Sequence, residues 1–589
     1  MKPYLIALAF CAVGASAVAA PAAPAEKPWV TASNAHTLEV LKAQAVFEPE
    51  GASGAGLSQY DGLAIDIGPD INARSIAASE KLLAQLRQKL AAEKDGNVRQ
   101  DLQILISSIE DDIVGTRLSE KYNLPWFDVP QFVFGNIQSL LDKQIPEARR
   151  GKALELLQRY TGVYPGSTSV FEQAKARYEE KLATPGLLGP VKGRVAQSLT
   201  NVPTYIKGIR ELFAEYGIKG GEPALDAMEK QFNDYVAWVN AKVLPRARDD
   251  FRLPPELYAY RLKRVGIDID PRTLIERAQL EYMETRAAMQ ALAPVVAKAK
   301  GLNATDYRDV IRQLKKDTIP NEQLEARYKD VNTALEAAIA REGVVSLPKR
   351  PMVMRLASEA ESAAQPAPHM QPPPLIGNTG EQGQFVLPVG NPAASGKGEA
   401  YDDFNFPAVA WTLSAHEGRP GHELQFTAMV ERGVSQARSL YAFNSVNVEG
   451  WALYAEAEMV PSEPPEGQMI ALQFRLLRAA RAMLDPMLNL GLITRDEAGK
   501  VLTEQVMLSA PMARQELDRY TLRSPGQAGS YFYGYARIMQ LRAETELALG
   551  AKFDRLAFNN FLLDQGLLPP DLLAKAVREE FVPMQKAKK

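Results

Sequence analysis

The sequence predicts a mainly α-helical protein built in two packed parts, with a small β element between them. Three observations carry this. Apolar residues recur at helical spacing along most of the chain. A Pro-, Gly- and Ala-rich stretch, residues 361–403, interrupts that pattern. A chain of 589 residues, with 46% hydrophobic and 24% charged side chains, can also bury more core than one small domain holds.

The chain opens with the layout of a secretory signal peptide over residues 1–19. Lys2 supplies the positive start, Leu5 to Val13 the apolar run, and Ala17-Val18-Ala19 a small-residue cleavage site. The run is shorter than the roughly 20 residues of a spanning helix. Residues 20–28 read as a flexible leader. Cleavage removes Cys11, the only cysteine, which excludes a thiolate metal site and a cysteine nucleophile. The expectation is an exported protein, periplasmic or secreted, with no membrane span once the signal is gone. A formal net charge of -3 gives no reason to expect a nucleic-acid partner.

Residues 29–360 form the helical N-terminal part. Leu82, Leu83, Leu86 and Leu90 mark one helix, and Leu105, Ile106, Ile109 and Ile113 another. Pro223 opens a third, with Leu225, Met228, Phe232, Val236 and Val239 on one face, ending before Pro245. Asp270 is placed to cap a fourth that has Pro271 in its first position. In the 361–403 stretch, Gln384 to Pro388 is the one extended segment. His369, set among prolines there, reads as an ordinary loop histidine. Residues 404–589 return to helix.

That last part holds "SAHEGRPGHELQ", with two of only 4 histidines, His416 and His422, and Glu417 beside the first. In a zinc helix the two histidines stand four residues apart on one face, with the Glu as general base. Here the separation is six residues, an advance of about 240° on an unbroken helix, which points the rings apart. Chelation therefore requires a break. Gly418, Pro420 and Gly421 supply one, since proline has no N–H for a continuing helix. If the helix resumes, Gln425 shares the face of His422 and is a candidate to orient a ligand. Catalytic zinc takes three protein ligands, and the third is sought in "NVEGWALYAEAEMVP". Asn447 starts that helix and Pro461 stops it. Glu449 and, two turns on, Glu456 share a face; Glu449 would complete a His-His-Glu set and Glu456 would support a ligand or the substrate. "LDRYTLRSPGQAGSYFYGYARI" adds Arg519, Tyr520 and Tyr531, which could serve as donors to a developing oxyanion, although an aromatic stripe is more often core packing.

Together, "HEGRPGHELQ", "EGWALYAE" and "RY…PGQAGSY..G" resemble the bacterial domain-of-unknown-function family 885 (DUF885), grouped with the HExxH-type zinc peptidases near the helical oligopeptidases and Taq-type carboxypeptidases. The resemblance implies a two-lobed, metallopeptidase-like helical fold with a central cleft. It implies one zinc ion held by His416, His422 and Glu449, with Glu417 as general base. It makes Gly383 to Pro388, with Gln384 and Phe385, an edge strand that binds an extended substrate. By analogy, Tyr531 becomes the transition-state donor, while Arg519 and Tyr520 bind a substrate carboxylate. The implied activity is hydrolysis of short peptides. Two alternatives stand beside it: a metal-dependent hydrolase of a non-peptide amide or ester, and a catalytically dead peptide-binding protein on the same scaffold.

Overall fold

The computed structural model describes residues 27–388 and 401–588, and over these the chain is almost entirely helical. The signal reading lies outside the described residues, as does most of the leader; Pro28 already begins the first helix, Pro28–Gln44.

The expected helices form where their apolar spacing places them. Ile71–Ala92 and Gly96–Tyr122 lie against each other, with Leu82, Leu83, Leu86, Leu105, Ile106, Ile109 and Ile113 in one buried cluster. Asp95 caps the second by accepting the N–H groups of Asn97 and Val98. The Pro223 helix runs Glu222–Trp238 and continues as a wider turn through Val239–Val243. Asp270 does cap Pro271–Lys300, accepting the Arg272 N–H at 2.8 Å.

Two large hydrophobic cores organise these helices. One gathers residues 124–243, around Phe134, Tyr160, Phe171 and Phe232. The other joins residues 258–345 to residues 404–581. Within it, Pro271–Lys300 packs along Pro465–Asn489, and Ser445–Met459 along Ser530–Leu549. The helices before the Pro/Gly-rich stretch thus supply part of the wall that carries the histidine motif.

The β element has three strands: β1 (Val353–Leu356), β2 (His369–Gln371) and β3 (Gln384–Leu387), in the order β1-β3-β2. β3 pairs parallel with β1 and antiparallel with β2. The expected edge strand is therefore the central one. Both its backbone edges are taken, and Phe385 is 0% exposed. The strands at the edges are β1 and β2.

Candidate metal centre

The helix Val409–Glu417 is buried along nearly its whole length, which suits its run of Ala, Val, Leu and Thr. It stops at Gly418, and the chain turns through residues 418–421 with a cis Arg419–Pro420 bond. A Cβ on Gly421 would stand 1.9 Å from the His416 carbonyl oxygen, so only glycine lets the chain pass so close. Side chains hold the turn from outside. Arg419 bonds Glu423 at 2.6 Å, Glu336 at 3.0 Å and the Arg350 carbonyl at 2.6 Å. Trp451 Nε1 donates to the Pro420 carbonyl at 3.0 Å. A second helix, His422–Arg432, restarts with His422 as its first residue. The six-residue spacing is absorbed, and the two imidazole rings meet at 4.7 Å, inclined by 78°.

Glu449 enters from the helix Ser445–Met459. This helix starts earlier than its sequence suggests: Asn444, rather than Asn447, is the cap, accepting the Asn447 N–H at 2.8 Å. Glu449 Oε2 lies 3.5 Å from His416 Nε2 and 3.3 Å from His422 Nε2. Donors at about 2.0–2.1 Å from a tetrahedral ion stand roughly 3.3–3.4 Å apart, so both distances from Glu449 Oε2 suit two ligands of one such ion. Glu449 Oε2 is buried with no hydrogen-bond partner of good geometry, an arrangement that calls for a cation. Glu417 also belongs to the cluster, its ligand atom within 4.8 Å of those of His416 and His422. Its carboxylate opens onto a cavity beside them.

Behind the donors, Glu456 Oε1 lies 2.6 Å from His416 Nδ1, and its Oε2 accepts from Thr412 Oγ1 at 2.9 Å. This directs His416 Nε2 at the cluster. Burial opposes a charge on His416, but the carboxylates of Glu449 and Glu456 beside its two ring nitrogens prevail and push the imidazole up to about 9. Burial also opposes charge on Glu449, yet the two histidines hold its carboxyl well below the usual range.

The cavity, about 730 Å³, has two unlike walls. Met370, Leu375, Phe426, Phe443 and Val448 form an apolar one. Tyr531, Arg478, Arg481, Arg519 and Arg523 form the other. The Tyr531 ring lies parallel to His416 at 6.1 Å, and its hydroxyl accepts from Arg519 Nη2 at 2.8 Å.

Several expected site residues are placed elsewhere. Gln384 and Phe385 face away from the histidines: Gln384 bonds Arg355 and Asp142, and Phe385 fills core against Tyr328. Tyr520 is 0% exposed and donates to Glu516 at 2.6 Å, held inside by that buried acid. Gln425 turns to Asn447 at 3.0 Å instead of to a histidine. His369 sits in the cavity wall on β2, its Nδ1 3.1 Å from the Ala367 carbonyl. The sequence reading passed over Arg478, Arg481 and Arg523. For Arg478 and Arg481 the signal was available in "RLLRAARAMLD", where arginines recur every three residues along a leucine-rich helix.

The chain belongs to a family of bacterial proteins of unknown function, DUF885, whose model matches residues 49–577. Two solved structures share the fold. One, described as a lipoprotein of Colwellia psychrerythraea, is 17% identical, with a TM-score of 0.75, and covers 94% of this chain and 99% of its own. The other, described as a lipoprotein of unknown function from Shewanella oneidensis, is 19% identical, with a TM-score of 0.70, and covers 94% of this chain and 100% of its own. No curated protein matches the chain. Among the described residues, no helix is long and apolar enough to cross a membrane.

Proposed function

We propose that the protein is an exported zinc-dependent peptidase acting on short peptides, with the cavity between its helical lobes as the substrate cleft. One observation carries this reading: Glu449 Oε2 lies 3.5 Å from His416 Nε2 and 3.3 Å from His422 Nε2, beside Glu417 in the lining of the cavity. When bound, zinc supplies Lewis acidity toward a carbonyl and lowers the pKa of a bound water to about 7.

The chain's own groups do the remaining work. Glu417 makes no hydrogen bond among the described residues, so both its oxygens are available to take a proton from the attacking water and return it to the leaving amine. The Tyr531 hydroxyl accepts from Arg519, which leaves its own proton free for the carbonyl oxygen as charge builds there. Burial raises the Tyr531 pKa against the pull of Arg519, so the phenol stays protonated as a donor. Glu456 holds His416 in one tautomer and orientation.

The test is metal content of the purified protein, measured by mass spectrometry, with hydrolysis of a mixed peptide pool. About one zinc per chain, lost in His422→Ala, together with cleavage abolished in a Glu417→Gln protein that retains its zinc, is the expected result. Full cleavage by Glu417→Gln would remove that residue from its role.

A further inference from the structure

The order of groups along the cleft gives it a direction. Phe426 lies one turn beyond His422 and leads to the apolar wall. Beside His416, with its ring parallel to the imidazole, stands Tyr531, with Arg481 at 4.6 Å, Arg519 at 5.0 Å and Arg478 at 5.9 Å from its centroid. Arg523 completes that wall.

Charge accounting separates the four arginines. Arg481 is matched by Glu516 through two bonds of 2.7 and 2.6 Å. Arg478 gives one nitrogen to Glu456 at 3.1 Å; its Nε and Nη1 are buried without a partner, on a side chain 4% exposed. Arg519 bonds only neutral acceptors, Gln527 at 2.8 and 2.5 Å and Tyr531 at 2.8 Å. Arg523 donates to the Gln515 carbonyl at 2.8 Å. Asp518, its near neighbour in sequence, is paired with Arg495. Among the described residues, neither Arg519 nor Arg523 forms an ion pair. Two half-buried guanidinium groups with no ion-pair partner, backed by a buried third with orphaned donors, favour a ligand that brings a counter-charge.

We infer that this wall is an anion subsite in which Arg519 and Arg523 hold a carboxylate of the substrate, with Arg478 behind them. The assignment rests on the peptidase reading of the neighbouring donors and gives it a substrate class: peptides that present a carboxylate near the bond to be cut. The planar forks of arginine suit a carboxylate's two oxygens. With Tyr531 6.1 Å from His416 and Arg519 5.0 Å from Tyr531, the anchored group lies one to three extended residues from the metal donors, at about 3.4 Å per residue. A free chain end at that distance makes the protein a trimming enzyme; an Asp or Glu side chain makes it selective for acidic peptides.

The zinc-loaded Glu417→Gln protein is mixed with short synthetic peptides, each made as free acid and as C-terminal amide, half of them containing Asp or Glu. Peptides retained on ultrafiltration are counted by mass spectrometry. The expected result is enrichment of free acids over amides by at least about tenfold. It falls to parity when Arg523→Gln is added and returns in part with Arg523→Lys. Enrichment that follows internal Asp or Glu also supports the subsite and assigns its carboxylate to a side chain. Equal retention of acids and amides with no acidic bias, or retention of neither, overturns it. The unmodified enzyme separates the two readings. Acids retained but no bond cut in the pool defeats the peptidase and leaves the subsite standing; amides and acids cut alike defeats the subsite only.

Discussion

Glu456 and His416 share a 2.6 Å hydrogen bond, and the same carboxylate accepts from Thr412 and from Arg478 at 3.1 Å. One buried acid thus fixes the ring of His416 and neutralises an arginine of the cavity lining. Burial opposes its charge, while Arg478 and His416 lower its pKa enough to keep it ionised.

Loss of this support should weaken metal binding without removing a ligand. Glu456→Gln is expected to reduce zinc affinity by about 10- to 100-fold. Thr412→Val, which removes only one bond to the carboxylate, should have a smaller effect. Competition against a chromogenic chelator reads both. Affinity unchanged in Glu456→Gln would mean that Glu456 does not act through His416.

The helices that deliver Glu449 and Tyr531 cross backbone to backbone. A Cβ on Gly450 would stand 2.6 Å from the Gly534 carbonyl carbon, and one on Gly534 would stand 2.0 Å from the Val446 carbonyl oxygen. Neither atom can yield, because both belong to helix backbones. Gly534→Ala should force the helices apart and cost about 1–3 kcal/mol in urea unfolding. Gly499→Ala, whose Cβ meets only Leu517 at 3.5 Å, should be neutral or slightly stabilising.

Much of this cluster's geometry was legible because it is set locally. The break between the histidines follows from Gly418, Pro420 and Gly421 alone, and the face shared by Glu449 and Glu456 from helical periodicity. What failed depended on partners distant in sequence. Whether β3 lies at an edge is decided by β1 and β2 on either side of it. Gln425 is claimed by Asn447, and Tyr520 by Glu516, pairings that no spacing announces. The arginine wall, Arg519 apart, was missed for the opposite reason. Its residues sit in a leucine-rich helix and in a turn, where each alone reads as a solvated charge.

Glu463 offers a pH test outside the metal ligands. Burial, with some repulsion from Glu456, pushes its carboxyl up to about 8, and neither oxygen has a hydrogen-bond partner. The unfolded chain releases this proton near the ordinary value of 4.5, whereas the folded protein keeps it to about 8. Between those values the unfolded state binds fewer protons, so stability contributed by this group falls as pH rises through that window. The Glu463→Gln variant should lose this part of the decline. Its advantage over the unmodified protein in urea midpoint should therefore be larger at pH 8.5 than at pH 5 (values set about the window by linkage). An equal difference at both would show that Glu463 is ionised throughout.

The turn between the histidines is the feature on which the proposed metal binding would depend most directly. Gly421 lies against the His416 carbonyl, and Trp451 closes the turn by donating to the carbonyl of Pro420. In Gly421→Ala the added Cβ would fall 1.9 Å from that carbonyl oxygen, so the chain must move and carry His422 with it. Zinc should be lost from this variant, because a ligand displaced by even about 1 Å leaves the narrow range of metal–nitrogen distances. Trp451→Phe keeps the ring but removes the N–H, leaving the Pro420 carbonyl short of a donor at a cost of about 1–3 kcal/mol. It should retain zinc with reduced affinity. Circular dichroism of both variants should stay close to that of the unmodified protein, since the two flanking helices are buried independently of the turn. Zinc retained at full affinity in Gly421→Ala would show that the two imidazoles do not need this turn to meet.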